Sequence, residues 1–426
     1  MADDRFPEAL AAAREAAWTA PLETLHPGRP DLFEADAIWP LFERLRREDP
    51  VHFVSDSPFG PYWSVTTWQA VTAVDLDHQA FSSAQGAILA MAAVRAERSD
   101  HFDLPMFMSM DAPRHTDQRR SVSPAFGPGA LARLAPDLRA DAARVLDALP
   151  VGEPFDWVER VSRELTAAAL ARLFGFPVEQ RRSLSLWSDM LTRPPGRAGV
   201  TDWTQKRAEI RRCIEVFTEF LSRRTEPADD LVSLLAQQMR TAGMDLREAL
   251  GNVLLLIVGG NDTIRNALSG SVLALSERPA SYARLAGQPD LLPTMVCETL
   301  RWQTPLAHML RTATRDVELG GRTIRKGDSV AMWYASANRD ETVFDDPDEF
   351  LIDRPNARRH LAFGSGVHRC LGARLAELQL QIIWEEILNR FGRIEVVADP
   401  VRTHSVFVRG YEALEVVVSR RPGASG

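Results

Sequence analysis

A mainly helical protein with small β-sheets is what the patterning of this chain predicts. Apolar residues recur at helical spacing over residues 38–47, 130–149, 157–174, 205–224 and 371–390. Another such stretch, about residues 246–276, would run roughly 45 Å at 1.5 Å per residue, enough to cross a whole domain. Strand signals are fewer and fall mostly in the last third of the chain.

In chain order, MADDRFPEALAAAREAAWTA starts with acids, has no long apolar run and reads as a short amphipathic helix, not a secretory signal. Residues 51–54 and 62–65 read as strands of an early small sheet. TRPPGRAGVTDW, residues 192–203, separates two helical stretches and reads as a mobile loop. DVELGGRTI predicts a hairpin turning at Gly320 and Gly321, and residues 329–334 and 414–418 read as further strands. With no internal repeat, low-complexity block or clear linker, a single domain over residues 1–426 is expected, residues 1–35 forming an N-terminal extension.

Composition narrows the function. A formal charge of −8 argues against a general nucleic-acid binder, which needs a basic face. No window reaches the roughly 18 apolar residues of a membrane span. The 3 cysteines, Cys213, Cys297 and Cys370, are far apart and odd in number, which suits a reducing cytoplasm better than a disulfide framework.

Four segments carry chemistry. FGSGVHRCLG, residues 363–372, places Cys370 just ahead of a helix, where unpaired N–H groups and the helix dipole favour a thiolate. Glycines around it allow close backbone approach and positive φ. The reading is a soft-metal ligand; the alternative is an inert buried thiol. In the long helix, VLLLIV is followed by GGNDT, residues 259–263. Paired glycines there weaken the helix, giving either a packing kink or a groove in which Thr263 hydrogen-bonds a small ligand and Asp262 relays protons. Glu298 and Arg301, three apart on a helix among apolar neighbours, read as a buried ion pair, with Arg354 as a third partner. In MDAPRHTDQRR, residues 110–120, Asp111 is placed to cap a helix starting near Pro113. His115 and Arg119 would then share a face, solvated or turned to a dianionic cofactor edge.

The order of these motifs, D-x-P-x-H-x-x-x-R, G-G-x-D-T, E-x-x-R and F-x-x-G-x-H-x-C-x-G, resembles the cytochrome P450 haem-thiolate monooxygenases from about residue 40 to the C-terminus. The resemblance implies that fold, with haem b (iron protoporphyrin IX) between the long helix and the cysteine loop. It implies Cys370 as the axial metal ligand and Phe363 packed near it. His115, Arg119, Arg311 and His368 would hold the haem propionates, and Glu298, Arg301 and Arg354 would form a structural triad. Asp262 and Thr263 would be the acid–alcohol pair of oxygen activation. FDLPMFMSMDAPRH, LLLIVGGNDTIRN, ETLRWQTPLAHMLRTA, LAELQLQIIWEEIL and FVRGY are similar to the bacterial branch that hydroxylates the terminal carbon of alkanes and fatty acids. Ile264, Ala112 and Leu310 depart from it, standing where threonine, proline and arginine are common.

The implied reaction uses O2, with electrons reaching the protein ultimately from NAD(P)H. No flavin or nicotinamide fingerprint and no four-cysteine cluster site is present, so the expected partners are a ferredoxin and its ferredoxin reductase. Arg114, Arg120, Arg358, Arg359, Arg369 and Arg374 are candidate docking contacts. The pocket is expected from Ile88 through Leu104 to Phe107, near Leu256 and Gly259, at Leu306 and Met309, and at Val406 and Phe407. Its apolar lining points to a medium-chain alkane or fatty acid, or to a terpenoid or steroid. His308 reads as pocket or as packed core. Two other readings are a zinc hydrolase drawing on His360, His368 and Cys370, and a non-enzymatic haem sensor or carrier.

Overall fold

A computed structural model describes residues 5–91, 104–193, 196, 200–226 and 228–421. The long helix spans Leu246–Ser276, as its pattern requires. Its start is fixed by a capping box: Asp245 accepts from the Glu248 N–H (2.7 Å) while Glu248 accepts from the Asp245 N–H (3.1 Å). Leu250, Val253 and Ile257 enter one apolar cluster with Phe174 and Phe217. Leu268, Val272 and Leu273 enter another with Trp157, Trp384 and Phe391. Helices Arg163–Phe174, Arg181–Thr192, Leu292–Gln303 and Ala373–Arg390 pack against it, so it runs through the interior.

Other helical expectations hold within two residues at each end: Trp39–Glu48, Pro128–Asp147, Trp203–Arg223 and Ala373–Arg390. The stretch read as one helix over 157–174 instead begins with a π-helical turn, Val158–Ser162, before Arg163–Phe174. At its end the Ser162 hydroxyl lies 2.9 Å from that of Ser269 on the long helix. The hairpin Val317–Leu319/Arg322–Ile324 turns through Gly320 and Gly321, both at positive φ (57° and 74°).

The early strands do not stand apart as a separate small sheet. Val51–Val54 pairs antiparallel with Tyr62–Val65, which runs parallel to Ser329–Met332, followed by Met309–Ala313 and Phe81–Ser82. Val65, Val330 and Met332 are all buried, so joining the pairs covers apolar surface that either would expose alone. The strand expected over 329–334 stops at Met332 because Tyr334–Ala337 turns into a short helix, and the last strand is Glu415–Arg420. The segment read as an extension is packed in: Ala17, Leu25 and Phe33 join Phe42 and Trp333 in one cluster. Among the described residues no helix is long and apolar enough to cross a membrane.

His308 is packed core in this cluster. Its Nδ1–H faces the Val406 carbonyl (3.0 Å) and its Nε2 accepts from the Leu89 N–H (3.0 Å), so a second ring proton would meet a donor. Burial accordingly lowers its pKa to about 4.

Glu298, Arg301 and Arg354 form the expected cluster, essentially without solvent exposure. Arg301 donates to both Glu298 oxygens (2.7 and 2.8 Å) and to the carbonyls of Asn338, Pro347 and Glu349, using all its donors. Arg354 donates from Nε to Glu298 (3.0 Å) and from its other nitrogens to the carbonyls of Asp345, Asp346 and Glu349. Removing the shared carboxylate leaves two buried guanidiniums facing one another. Glu298→Ala is therefore expected to destabilise by about 3–5 kcal/mol, read from the shift in urea unfolding midpoint. A second expectation concerns acid. Below pH ~6.5 an unfolded His308 takes up a proton that the fold refuses, so stability falls as pH drops from ~6.5 toward 4, by up to about 1.4 kcal/mol per unit. In urea titrations across that range, His308→Gln should be less stable at neutral pH yet show a shallower decline.

Candidate active site

Between the long helix and the loop before Ala373–Arg390 lies a cavity with about 1460 Å³ of space free of protein atoms, its open mouth included. One wall carries Phe363, Cys370 and Gly372; the long helix contributes Gly259, Gly260, Thr263 and Ile264; Arg119, Arg311 and His368 give it a polar edge.

The cysteine loop is held from several sides. The Cys370 N–H donates to the Phe363 carbonyl (2.7 Å), and the helix starts three residues later at Ala373. Cys370 is exposed to the cavity while protein encloses it. Burial pushes its thiol up, opposed by the Gly372 N–H at the sulfur and by the charges of Arg119 and Arg369. Gly364 and Gly366 take positive φ (64° and 65°). A Cβ at Gly366 would stand 2.4 Å from the Asp75 carbonyl oxygen, so only glycine lets the loop pass there. Asp75 also reaches the loop with its side chain, accepting from the Ser365 N–H (2.8 Å), the Tyr334 hydroxyl (2.9 Å) and Arg311 Nη2 (3.2 Å).

At the polar edge, His115 is buried with both ring nitrogens unpartnered within the protein, and its ring lies 4.1 Å from that of His368. Burial, then Arg311, takes the His368 pKa down to about 3; burial, then Arg119, lowers His115. Arg119 reaches the Arg369 carbonyl (2.6 Å). Asp111 does not cap its helix. That helix, Arg114–Val122, has no side-chain cap, because the Asp111 carboxylate turns to the Ser82 hydroxyl and the Ser83 N–H (2.9 Å). Two guanidiniums and an orphaned buried imidazole beside a sulfur are donors that a flat cofactor with carboxylates on one edge and a soft metal would satisfy.

The paired glycines do not break the long helix, which is continuous through them. At Gly259 a Cβ would meet nothing within 4 Å, whereas at Gly260 it would stand 2.8 Å from Leu170 Cδ1; one opens the cavity and the other admits a neighbour. Thr263 lines the cavity and donates to the Gly259 carbonyl (2.7 Å). Its neighbour does not join it. Asp262 is buried on another side, bonded to Arg265 (2.6 Å) and to the Thr192 hydroxyl (2.9 Å). Asp189 lies beyond, 3.1 Å from Arg265 and 2.6 Å from Arg163. Four acid and base side chains thus tie the long helix to its neighbours at Asp262.

Of the expected pocket, Phe107, Leu256, Gly259, Leu306 and Met309 line the cavity. Ile88, Leu104, Val406 and Phe407 are not in its wall: Leu104 sits in the core with Phe107, Val406 in the cluster below the sheet, and Phe407 against His308. The middle of the expected loop, residues 92–103, lies outside the described residues, as do 194, 195 and 197–199 of the loop at 192–203. Sequence reading missed Met108, Leu170, Leu173, Tyr334 and Gln379 in the wall. Leu170 and Leu173 are spaced like any buried helix face, so nothing marked them. The zinc set does not assemble: among the described residues the grouping of possible metal donors is Cys297, His360 and Glu377, apart from Cys370 and His368, and Cys297 is not in the cavity wall. All six arginines of the expected docking face are exposed, Arg114 and Arg120 while also pairing with Glu248 and Asp117.

The family model described as cytochrome P450 matches residues 288–406. Linalool 8-monooxygenase of Pseudomonas putida is 35% identical, the match covering 91% of this chain and 97% of that protein. A steroid C26-monooxygenase of Mycolicibacterium smegmatis is 33% identical over 87% of this chain and 88% of its own. Among solved structures, cytochrome P450-153 from Novosphingobium aromaticivorans aligns with a TM-score of 0.84 and 43% identity, covering 92% of this chain and 99% of that one.

Proposed function

The chain belongs to the cytochrome P450 family of haem b monooxygenases, and on that premise we propose that it hydroxylates the terminal carbon of a medium-chain alkane or fatty acid. The observation that carries this reading is the cavity itself, with Cys370 on one wall, Thr263 on the long helix and, away from the Arg119, Arg311 and His368 edge, a largely apolar lining that includes Leu170, Leu173, Leu256 and Met309. Haem b, when bound, supplies the iron at which O2 is reduced and a C–H bond oxidised. Cys370 is the residue that would hold its iron as a thiolate, with the Gly372 N–H and the Arg119 charge easing the sulfur toward its anionic form. His115, Arg119, Arg311 and His368 would hold its carboxylates, and Phe363, in the same wall as Cys370, would pack near the sulfur. The Thr263 hydroxyl, which lines the cavity, would hold or pass a proton there, giving up its bond to the Gly259 carbonyl to do so. Asp262, the preceding residue, would serve as proton source only by leaving its bonds to Arg265 and Thr192. The apolar wall orients the chain of the substrate and excludes water.

A second reading, oxidation of a terpenoid or steroid, is favoured by the similarity to linalool 8-monooxygenase and to a steroid C26-monooxygenase. Electrons come from a ferredoxin and its reductase, docking over Arg358, Arg359, Arg369 and Arg374 beside the cysteine loop; reduction that weakens as salt rises would support that face.

Binding spectra with a panel of alkanes, fatty acids, terpenoids and steroids, followed by product regiochemistry, test the substrate assignment. Oxidation at an internal ring carbon with no turnover of linear chains would overturn it. Cys370→Ser is expected to abolish the thiolate-type spectrum of the reduced carbon-monoxide complex. Thr263→Ala is expected to bind substrate normally but to divert electrons to hydrogen peroxide, lowering product formed per NAD(P)H; unchanged coupling would remove Thr263 from the oxygen step.

A further inference from the structure

Asp75 is a buried carboxylate that is absent from the cavity wall and has no part in the chemistry assigned above. It lies near the end of helix Trp68–Leu76 and gathers donors from three distant parts of the chain. Arg311, on the strand Met309–Ala313, approaches Oδ1 at 3.2 Å. The Tyr334 hydroxyl (2.9 Å), the Ser365 N–H (2.8 Å) and the Ser365 hydroxyl (3.3 Å) all donate to Oδ2. Arg311 and Tyr334 line the cavity, and Ser365 sits inside the loop that presents Cys370. The backbone of Asp75 is engaged as well, since its carbonyl oxygen occupies the space that a side chain at Gly366 would need. A second bond, from Arg311 Nη1 to the Leu310 carbonyl (2.9 Å), fixes the same guanidinium and leaves its remaining donors for the cavity.

We propose that Asp75 is a positioning residue that holds Arg311 and the Cys370 loop to one another, setting the spacing between the carboxylate-binding end and the sulfur end of the cofactor site. Either anchor alone would let the two ends drift. One carboxylate accepting from both makes the spacing a property of a single rigid group, and because that group is buried, water cannot substitute for the lost bonds. The inference rests on the assignment of Cys370 and Arg311 to haem.

The test uses the haem-loaded protein. Asp75→Ala removes both anchors; Asp75→Asn keeps an oxygen for Ser365 and Tyr334 but removes the charge that holds Arg311, and serves if the alanine variant does not fold. The rate of haem transfer to an excess of a haem-scavenging apoprotein is expected to rise about ten- to a hundred-fold for alanine and less for asparagine. In both, the reduced carbon-monoxide complex is expected to pass more readily from the thiolate-type to the non-thiolate spectrum on mild warming. A merely structural aspartate would lower the unfolding temperature while leaving the haem-transfer rate and that spectrum as in the parent, and this result would overturn the proposal. Cys370→Ser, run in parallel, separates the two levels. If it keeps the thiolate-type spectrum, the haem assignment fails; if it loses that spectrum while the Asp75 variants match the parent, the positioning role alone fails.

Discussion

The Glu298–Arg301–Arg354 cluster is the constraint on which the site depends. Three ionised groups in a dry interior are costly unless every donor and acceptor is met, and here the backbone supplies most of what is missing. Six of the hydrogen bonds made by the two arginines go to main-chain carbonyls at Asn338, Asp345, Asp346, Pro347 and Glu349, while Glu298 also accepts the Leu351 N–H. A segment with little regular structure is thereby pinned to helix Leu292–Gln303, and that segment leads directly into the cysteine loop. Order at Cys370 begins with charges buried well behind it.

A second level of order is shared between elements. The helix carrying His115 and Arg119 is tied to the long helix, because Asn252 donates to Gln118 (2.6 Å) and accepts from the Phe107 N–H (3.1 Å), and Arg114 pairs with Glu248. The capping glutamate of the long helix therefore also holds part of the polar edge. Local helix chemistry and site geometry are served by the same side chain.

Much of this was legible in the sequence because it depends on local rules. The 31-residue helix follows from its apolar face, the Gly320–Gly321 hairpin from its turn, and the cysteine loop from its glycines. The cluster around Glu298 was readable because charges among apolar neighbours have few places to go. What was not readable depends on which of two equivalent partners a group selects. Asp111 had a helix to cap and chose Ser82 and Ser83; Asp262 sat beside Thr263 and turned instead to Arg265 and Thr192. The wall residues Leu170 and Leu173 were invisible for a different reason: an apolar side chain facing a cavity and one facing a neighbour obey the same periodicity.

The cavity is also divided in how its residues are held. Beside Cys370, Arg311 is held by Asp75 and His368 by Ser83, hydrogen bonds from elsewhere in the fold, so a change there propagates. Leu170 and Leu173 on one helix, Leu256 on the long helix and Met309 on a strand contribute shape alone. Exchanging one of them alters what fits, by about 1–3 kcal/mol per methylene, without unsettling the oxidising end. Such a molecule is evolvable in a particular direction: its diet can drift by single substitutions while its reaction stays put.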